Sequence, residues 1–117
     1  MKVNVYGIPN CGSVKKARTF LEQNTINYLF HDYKKEGVTE DHLQKWCKQF
    51  GWENVLNKKG MTWRNLDEAV KNQVINQQTA VQLMIKNTSA IKRPIIESEK
   101  GNLLGFDQMQ LENLFLS

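Results

Sequence analysis

Cys11 is placed where a sequence can make a thiol reactive. Before it run Val3-Asn4-Val5-Tyr6-Gly7-Ile8-Pro9-Asn10, and after it Gly12-Ser13-Val14-Lys15-Lys16-Ala17-Arg18. The first stretch alternates apolar and polar residues and ends in a Gly/Pro/Asn turn, while the second is lysine-rich and amphipathic. A cysteine at that junction opens a helix, where unpaired backbone N–H groups and the positive end of the helix dipole favour the thiolate. The thiolate is the nucleophile. At the reference pKa of about 8.5 roughly 3 % of a thiol is ionised at neutral pH, and at a pKa near 6 roughly 90 % is. The N–H groups of Gly12 and Ser13 are the expected supports of the anion, the Ser13 hydroxyl is a further donor, and Asn10 belongs to the same candidate set. Lys15 and Arg18 follow Cys11 by four and seven positions, share its helix face, and suit an anionic partner. With Ser13 and Val14 after Gly12, no second thiol stands one helical turn away, so the chemistry is that of a monothiol.

The other candidates read as structural. Cys47 falls on an apolar helix face with Leu43, Trp46 and Phe50 and is expected to be a buried, inert thiol. His31 and His42 lack metal-site spacing with either cysteine, so no metal is expected. Trp46, Trp52 and Trp63 should pack the middle of the chain.

These residues need one modest scaffold. The 117 residues make a single domain, with the 40 % hydrophobic and 24 % charged composition of an ordinary soluble protein. Two cysteines do not build a disulfide scaffold and suit a reducing compartment. No run approaches the ~20 apolar residues of a membrane span and no charged-then-apolar leader opens the chain, so the cytosol is the expected location. The net charge of +4 is spread along the sequence without a nucleic-acid-binding signature, so neither nucleic acid nor membrane is an expected partner, and a monomer is expected.

The pattern along the chain predicts a strand at 2–6, a helix after Cys11 with Val14, Ala17 and Leu21 buried, and a strand at 28–33. The spacing makes a βαβ unit with parallel strands. Thr39 should cap a helix ended by Gly51, Asn65 with Glu68 signals another, and residues 79–86 a third. Ile95–Glu97, a turn at 99–102, Leu103-Leu104 and a last helix carrying Leu111, Leu114 and Phe115 complete the order. Strand–helix–strand, a helical block, then strand–strand–helix is the thioredoxin-like α/β plan: sheet parts at about 1–34 and 88–117, and a helical insertion at about 38–87.

Five segments in this order carry a more specific likeness: Tyr6-Gly7-Ile8-Pro9-Asn10-Cys11-Gly12-Ser13, His31-Asp32-Tyr33, Phe50-Gly51-Trp52, Asn57-Lys58-Lys59-Gly60-Met61-Thr62-Trp63-Arg64 and Ile91-Lys92-Arg93-Pro94-Ile95-Ile96. Together they resemble the family that contains the glutaredoxin-linked arsenate reductase ArsC and the RNA-polymerase-binding regulator Spx, most of all its YffB branch of glutathione-dependent thiol reductases. The resemblance implies that Cys11 is the redox cysteine, that Arg93 lies near the thiolate and any bound oxyanion, and that Pro94 shapes the pocket after a cis peptide bond. An arginine suits that place, because its planar fork of donors is always charged. Arsenate reductases of the family use three arginines. Here only Arg93 has a counterpart, the second position falls on Asn57 beside Lys58, and the third falls near Phe106. Their histidine before the Asn-Pro-x-Cys stretch is Gly7 here. Lys58 is thus a candidate binding residue by position only. Glutathione is implied as a co-substrate rather than a bound cofactor, and no tightly bound cofactor is implied. The implied activity is a thiol reductase; an Spx-like role on RNA polymerase is the alternative, and arsenate reduction is disfavoured by the missing arginines.

Overall fold

The computed structural model describes residues 1–117, which divide into two units: Met1–Glu36 with Arg93–Ser117, and Gly37–Lys92. The first unit is built on a four-stranded sheet of order β2-β1-β3-β4. β1 (Val3–Gly7) pairs in parallel with β2 (Leu29–Asp32) and antiparallel with β3 (Ile95–Ser98), which turns back through a tight hairpin into β4 (Gly101–Leu104). The sheet is therefore mixed. The β1–β2 crossover is α1 (Gly12–Gln23), the connection parallel strands require.

Alternation along β1 decides which face is dry. Val3 and Val5 join Ala17, Phe20 and Leu21 of α1, Ile96 of β3, and Leu111 and Phe115 of α8 (Gln108–Phe115) in one buried cluster. Each large aliphatic or aromatic member contributes about 1.5–3 kcal/mol by leaving water. Tyr6 and Ile95, opposite each other across β1 and β3, point to the other face. α8 begins at Asp107, whose carboxylate accepts from the N–H of Gln110.

The second unit is helical. Thr39 caps α3 (Glu40–Phe50) by accepting from His42 N–H at 3.2 Å, and Gly51, at φ +88°, ends it. Leu43, Trp46 and Cys47 face inward. Short helices follow: α4 (Trp52–Val55), α5 (Met61–Arg64) and α6 (Glu68–Asn72), then the longer α7 (Gln77–Lys86).

Several boundaries differ from the sequence pattern. The strand expected at 28–33 is Leu29–Asp32, and Tyr33 instead starts a helical turn, α2 (Tyr33–Glu36), because the Asp32 carboxylate accepts from Lys34 N–H at 2.9 Å and turns the chain. Asn65 does not open a helix. It closes α5, donating its N–H to Met61 O, so α6 starts at Glu68 after Asp67. α7 starts earlier than residue 79, at Gln77, because Asn76 and Thr79 exchange capping hydrogen bonds in which each side chain meets the other's N–H. Residues 88–92, grouped by pattern with the second sheet part, bond within the helical unit: Asn57 N–H donates to Ala90 O, and Lys92 N–H to Val55 O, both at 2.8 Å.

Candidate functional site

Cys11 lies in the loop that leaves the central strand. β1 ends at Gly7, the chain passes Ile8-Pro9-Asn10, and Cys11 takes an extended N-cap conformation (φ −130°, ψ 129°) before Gly12 opens α1. Its carbonyl accepts the first helical bond, from Lys15 N–H at 2.9 Å. An N-cap side chain is aimed at the N–H groups of the second and third helical residues. These are Ser13 and Val14; neither closes a capping hydrogen bond to the sulfur, but both N–H groups favour the thiolate. Of the expected Gly12 and Ser13 N–H groups, Ser13 acts on the thiol, and Val14 takes the place expected of Gly12. It is the Ser13 backbone, not its exposed hydroxyl, that acts on the thiol.

Arg93 comes from the start of the second sheet segment and bonds the thiolate from its side chain. Burial raises the Cys11 pKa, but the Val14 N–H, the Arg93 guanidinium and the Ser13 N–H together outweigh it, and the net shift is downward. Cys11 remains partly open to solvent, as a nucleophile must be. Pro94 is buried after a cis Arg93–Pro94 peptide bond, and its carbonyl accepts from Gly105 N–H at 2.8 Å.

Gly7 forms the floor of this arrangement. A Cβ there would stand 2.7 Å from a Val14 methyl and 3.6 Å from the Arg93 Cβ. Val14 is fully buried there, and Arg93 stands two residues before β3.

Other candidates are used elsewhere. Lys15 lines an open groove of about 710 Å³ with Phe20, Gln23 and Phe106 and is not among the groups that act on the thiol. The guanidinium of Arg18 lies 4.1 Å from the Phe30 ring centroid, and its Nε donates to the Tyr28 hydroxyl at 2.8 Å, which joins α1 to β2. Lys58 belongs to the helical unit, its ammonium between the Trp52 and Trp63 rings at 5.4 and 5.5 Å from the centroids. Asn10 and Gly12 are exposed beside Cys11.

Cys47 is a free thiol, 2 % exposed, and burial pushes its pKa up to about 11. His31 is bound on both ring nitrogens, to Asn4 Oδ1 at 2.9 Å and Glu36 Oε1 at 3.2 Å, and stacks on Tyr6 at 4.5 Å. The pattern missed the surroundings of Arg93. Tyr33, 1 % exposed, feels the charges of Arg93, Tyr6 and Glu97, while Tyr6 bonds Glu97. The alternation that puts Tyr6 opposite Ile95 was the available signal for this second face.

Residues 6–114 match the family model described as the ArsC family. The chain belongs to the ArsC family. A solved structure of a YffB protein shares 41 % identity and superimposes with a TM-score of 0.91, over 96 % of this chain and 97 % of that one. An arsenate reductase (ArsC) related protein from Brucella melitensis shares 42 % identity with a TM-score of 0.74, over 98 % and 95 %. The global transcriptional regulator Spx of Streptococcus pyogenes is 26 % identical over 117 residues, 98 % of this chain and 85 % of the relative. This ArsC-family chain thus has the family's thioredoxin-like sheet, and no helix in it is long and apolar enough to cross a membrane.

Proposed function

We propose that this protein is a cytosolic, glutathione-dependent monothiol oxidoreductase with Cys11 as its nucleophile and Arg93 as the residue that stabilises sulfur anions. The single observation that carries this reading is a free, partly open Cys11 at the N-cap of α1, where the Val14 and Ser13 N–H groups and the Arg93 guanidinium lower its pKa. The Cys11 thiolate attacks one sulfur of a disulfide, R–S–S–R′; the new Cys11–S–S–R bond forms as R′–S⁻ leaves, stabilised by the same donors. A glutathione thiolate then attacks the R sulfur of the mixed disulfide, giving R–S–S–glutathione and returning the Cys11 thiolate. The substrate disulfide leaves as one free thiol and one glutathione mixed disulfide, and no electron is unaccounted for. An external thiol is needed because no cysteine follows Cys11 within its turn of helix.

The test is the pH dependence of Cys11 alkylation by iodoacetamide in a Cys47→Ala background, with and without Arg93→Ala. A midpoint clearly below the ordinary thiol value, raised by about one unit when the guanidinium is removed, is the expected result. A midpoint at or above that value in the parent removes the reading.

A regulatory role like that of Spx is supported by the likeness to that regulator over 98 % of this chain and 85 % of the relative. It predicts capture of RNA polymerase that survives Cys11→Ser. Arsenate reduction is weakened by a single arginine at the thiol and by Gly7, which has no room for a side chain.

A further inference from the structure

The chemistry at Cys11 leaves open which disulfide it meets, and the surface beside the cap narrows the choice. An open groove of about 710 Å³ runs between α1 and α8, both in the sheet unit. On α1 its wall includes Lys15 and Thr19, four and eight positions after Cys11, so they continue the row that the thiol heads. Lys16 stands beside them, its ammonium 6.0 Å from the centroid of the Phe106 ring. α8 starts two residues after that ring and lines the groove with Gln108, Glu112 and its cap residue Leu116, at four-residue spacing.

The two ends of the groove differ. The end beside Cys11 is cationic: Lys15 and Lys16 are exposed, and the ion pairs of the chain, His31–Glu36 and Lys71–Glu68, use neither. One turn along α8, the Glu112 carboxylate accepts from Gln108 Nε2 at 3.3 Å. One turn further stands Leu116, an apolar side chain 52 % exposed. Phe20, 5 % exposed, and the half-buried Phe106 supply an apolar floor. From Cys11 to Asn24, the last α1 residue of the wall, the helix rises about 20 Å, the length of about six extended residues. That is about twice the reach of a tripeptide such as glutathione.

We infer that this groove is the substrate subsite, and that the disulfide Cys11 attacks belongs to an extended peptide segment with acidic residues beside its cysteine and an apolar residue about four positions away. The carboxylates meet Lys15 and Lys16, and the apolar side chain covers Leu116. The inference rests on the reading of Cys11 as a reactive thiolate and leaves glutathione as the thiol that resolves the mixed disulfide.

The test uses peptides activated as 2-pyridyl disulfides, in the Cys47→Ala background near pH 7. The Cys11 thiolate attacks the peptide sulfur, the Cys11–S–S–peptide bond forms as the bond to the pyridyl sulfur breaks, and pyridine-2-thione is released and read by its absorbance. One peptide carries two aspartates next to the cysteine and a leucine four positions away, in both chain orders. Its twins replace the aspartates by asparagines or the leucine by serine. Two further reagents are the glutathione 2-pyridyl disulfide and the small, neutral 2-hydroxyethyl one. The faster order of the aspartate peptide should react about fivefold faster than its asparagine twin, as two exposed ion pairs provide. That preference should fall below twofold in Lys15→Gln/Lys16→Gln. Leu116→Ser should slow the leucine peptide about threefold and not its serine twin.

Equal rates for the aspartate and asparagine peptides, or a preference that the lysine variant keeps, overturn this inference alone. So does a glutathione reagent as fast as the aspartate peptide, which would confine recognition to the carboxylates beside Cys11. Leu116→Ser slowing both leucine and serine peptides alike overturns the apolar contact and with it the extended occupant. A neutral reagent that reacts with Cys11 no faster than with free cysteine removes the thiolate reading and this inference together, so the two failures are distinguishable.

Discussion

Cys11 and Cys47 are the same chemical group in two parts of one chain, and they lie on opposite sides of the ordinary thiol pKa. Burial raises both. For Cys47, in the last turn of α3, nothing opposes it, and the value climbs to about 11. For Cys11, at the N-cap of α1, two N–H groups and a guanidinium reverse it. The end of the helix, more than the degree of burial, decides: the N-terminus offers donors that want an anion, and the last turns of a helix offer carbonyls that do not. A thiol is made reactive by the backbone it caps.

The sharpest way to break that contrast is competition for one reagent. Near pH 7 a thiol titrating at about 11 is ionised to only about one part in ten thousand, so iodoacetamide should label Cys11 at least a hundredfold faster than Cys47, by peptide mass mapping of the folded protein. Comparable rates would mean that the cap does not set the reactivity.

A smaller effect should come from the floor of the site. Gly7→Ala puts a methyl 2.7 Å from a Val14 methyl, so Val14 or the end of β1 must shift. Overpacking of this kind costs about 1–3 kcal/mol, which urea unfolding would measure. Cys11 alkylation should slow, because the Val14 N–H shifts with its side chain, while Cys47 labelling stays as it was. Unchanged stability with unchanged Cys11 reactivity would show that the tight approach is not what aims the N–H.

Thr39→Ala touches the other region. It removes the cap of the helix that carries Cys47 and should cost about 1 kcal/mol by the same unfolding assay. The Cys11 midpoint should not move, and a shift there would sink the idea that its environment is local.

The smallest expected effect is a difference in how stability varies with pH. A thiol whose folded pKa is lowered stabilises the fold fully above its ordinary value, and the contribution is lost as pH falls through the folded value. A thiol whose folded pKa is raised contributes fully below its ordinary value, and this is lost as pH rises toward about 11. Relative to the parent, Cys11→Ser should therefore become more destabilising as pH rises through the neutral range. Cys47→Ala should become less destabilising above about pH 9. Urea midpoints across that range check both signs, and parallel curves would contradict the assignment.

Much of this was legible because the signals are local. The strand, the Gly/Pro/Asn turn and the 3.6-residue spacing of Val14, Ala17 and Leu21 place Cys11 at a helix start without any knowledge of the rest. Thr39 and Gly51 bracket α3 for the same reason. Arg93 was readable only through family resemblance, because its meeting with Cys11 is a long-range product of β1 pairing with β3. The aromatic run at 28–33 reads as a strand to its last residue, and Tyr33 leaves it because the Asp32 carboxylate turns the chain. Asn65 shows the reverse failure: a good capping residue followed by a glutamate three positions on, overridden because the preceding turn already claimed its N–H. Four-residue helices such as α4 and α5 leave too few turns for periodicity to register.

The donors that act on Cys11 differ in how exposed they are to genetic change. Two are main-chain N–H groups, which every amino acid except proline supplies, so nearly any replacement at Ser13 or Val14 that keeps the helix keeps the donor. Short of a proline at either position, only the guanidinium can be deleted by changing one codon. The thiol's basal acidity is thereby robust to point mutation, and Arg93 is the part that selection can adjust.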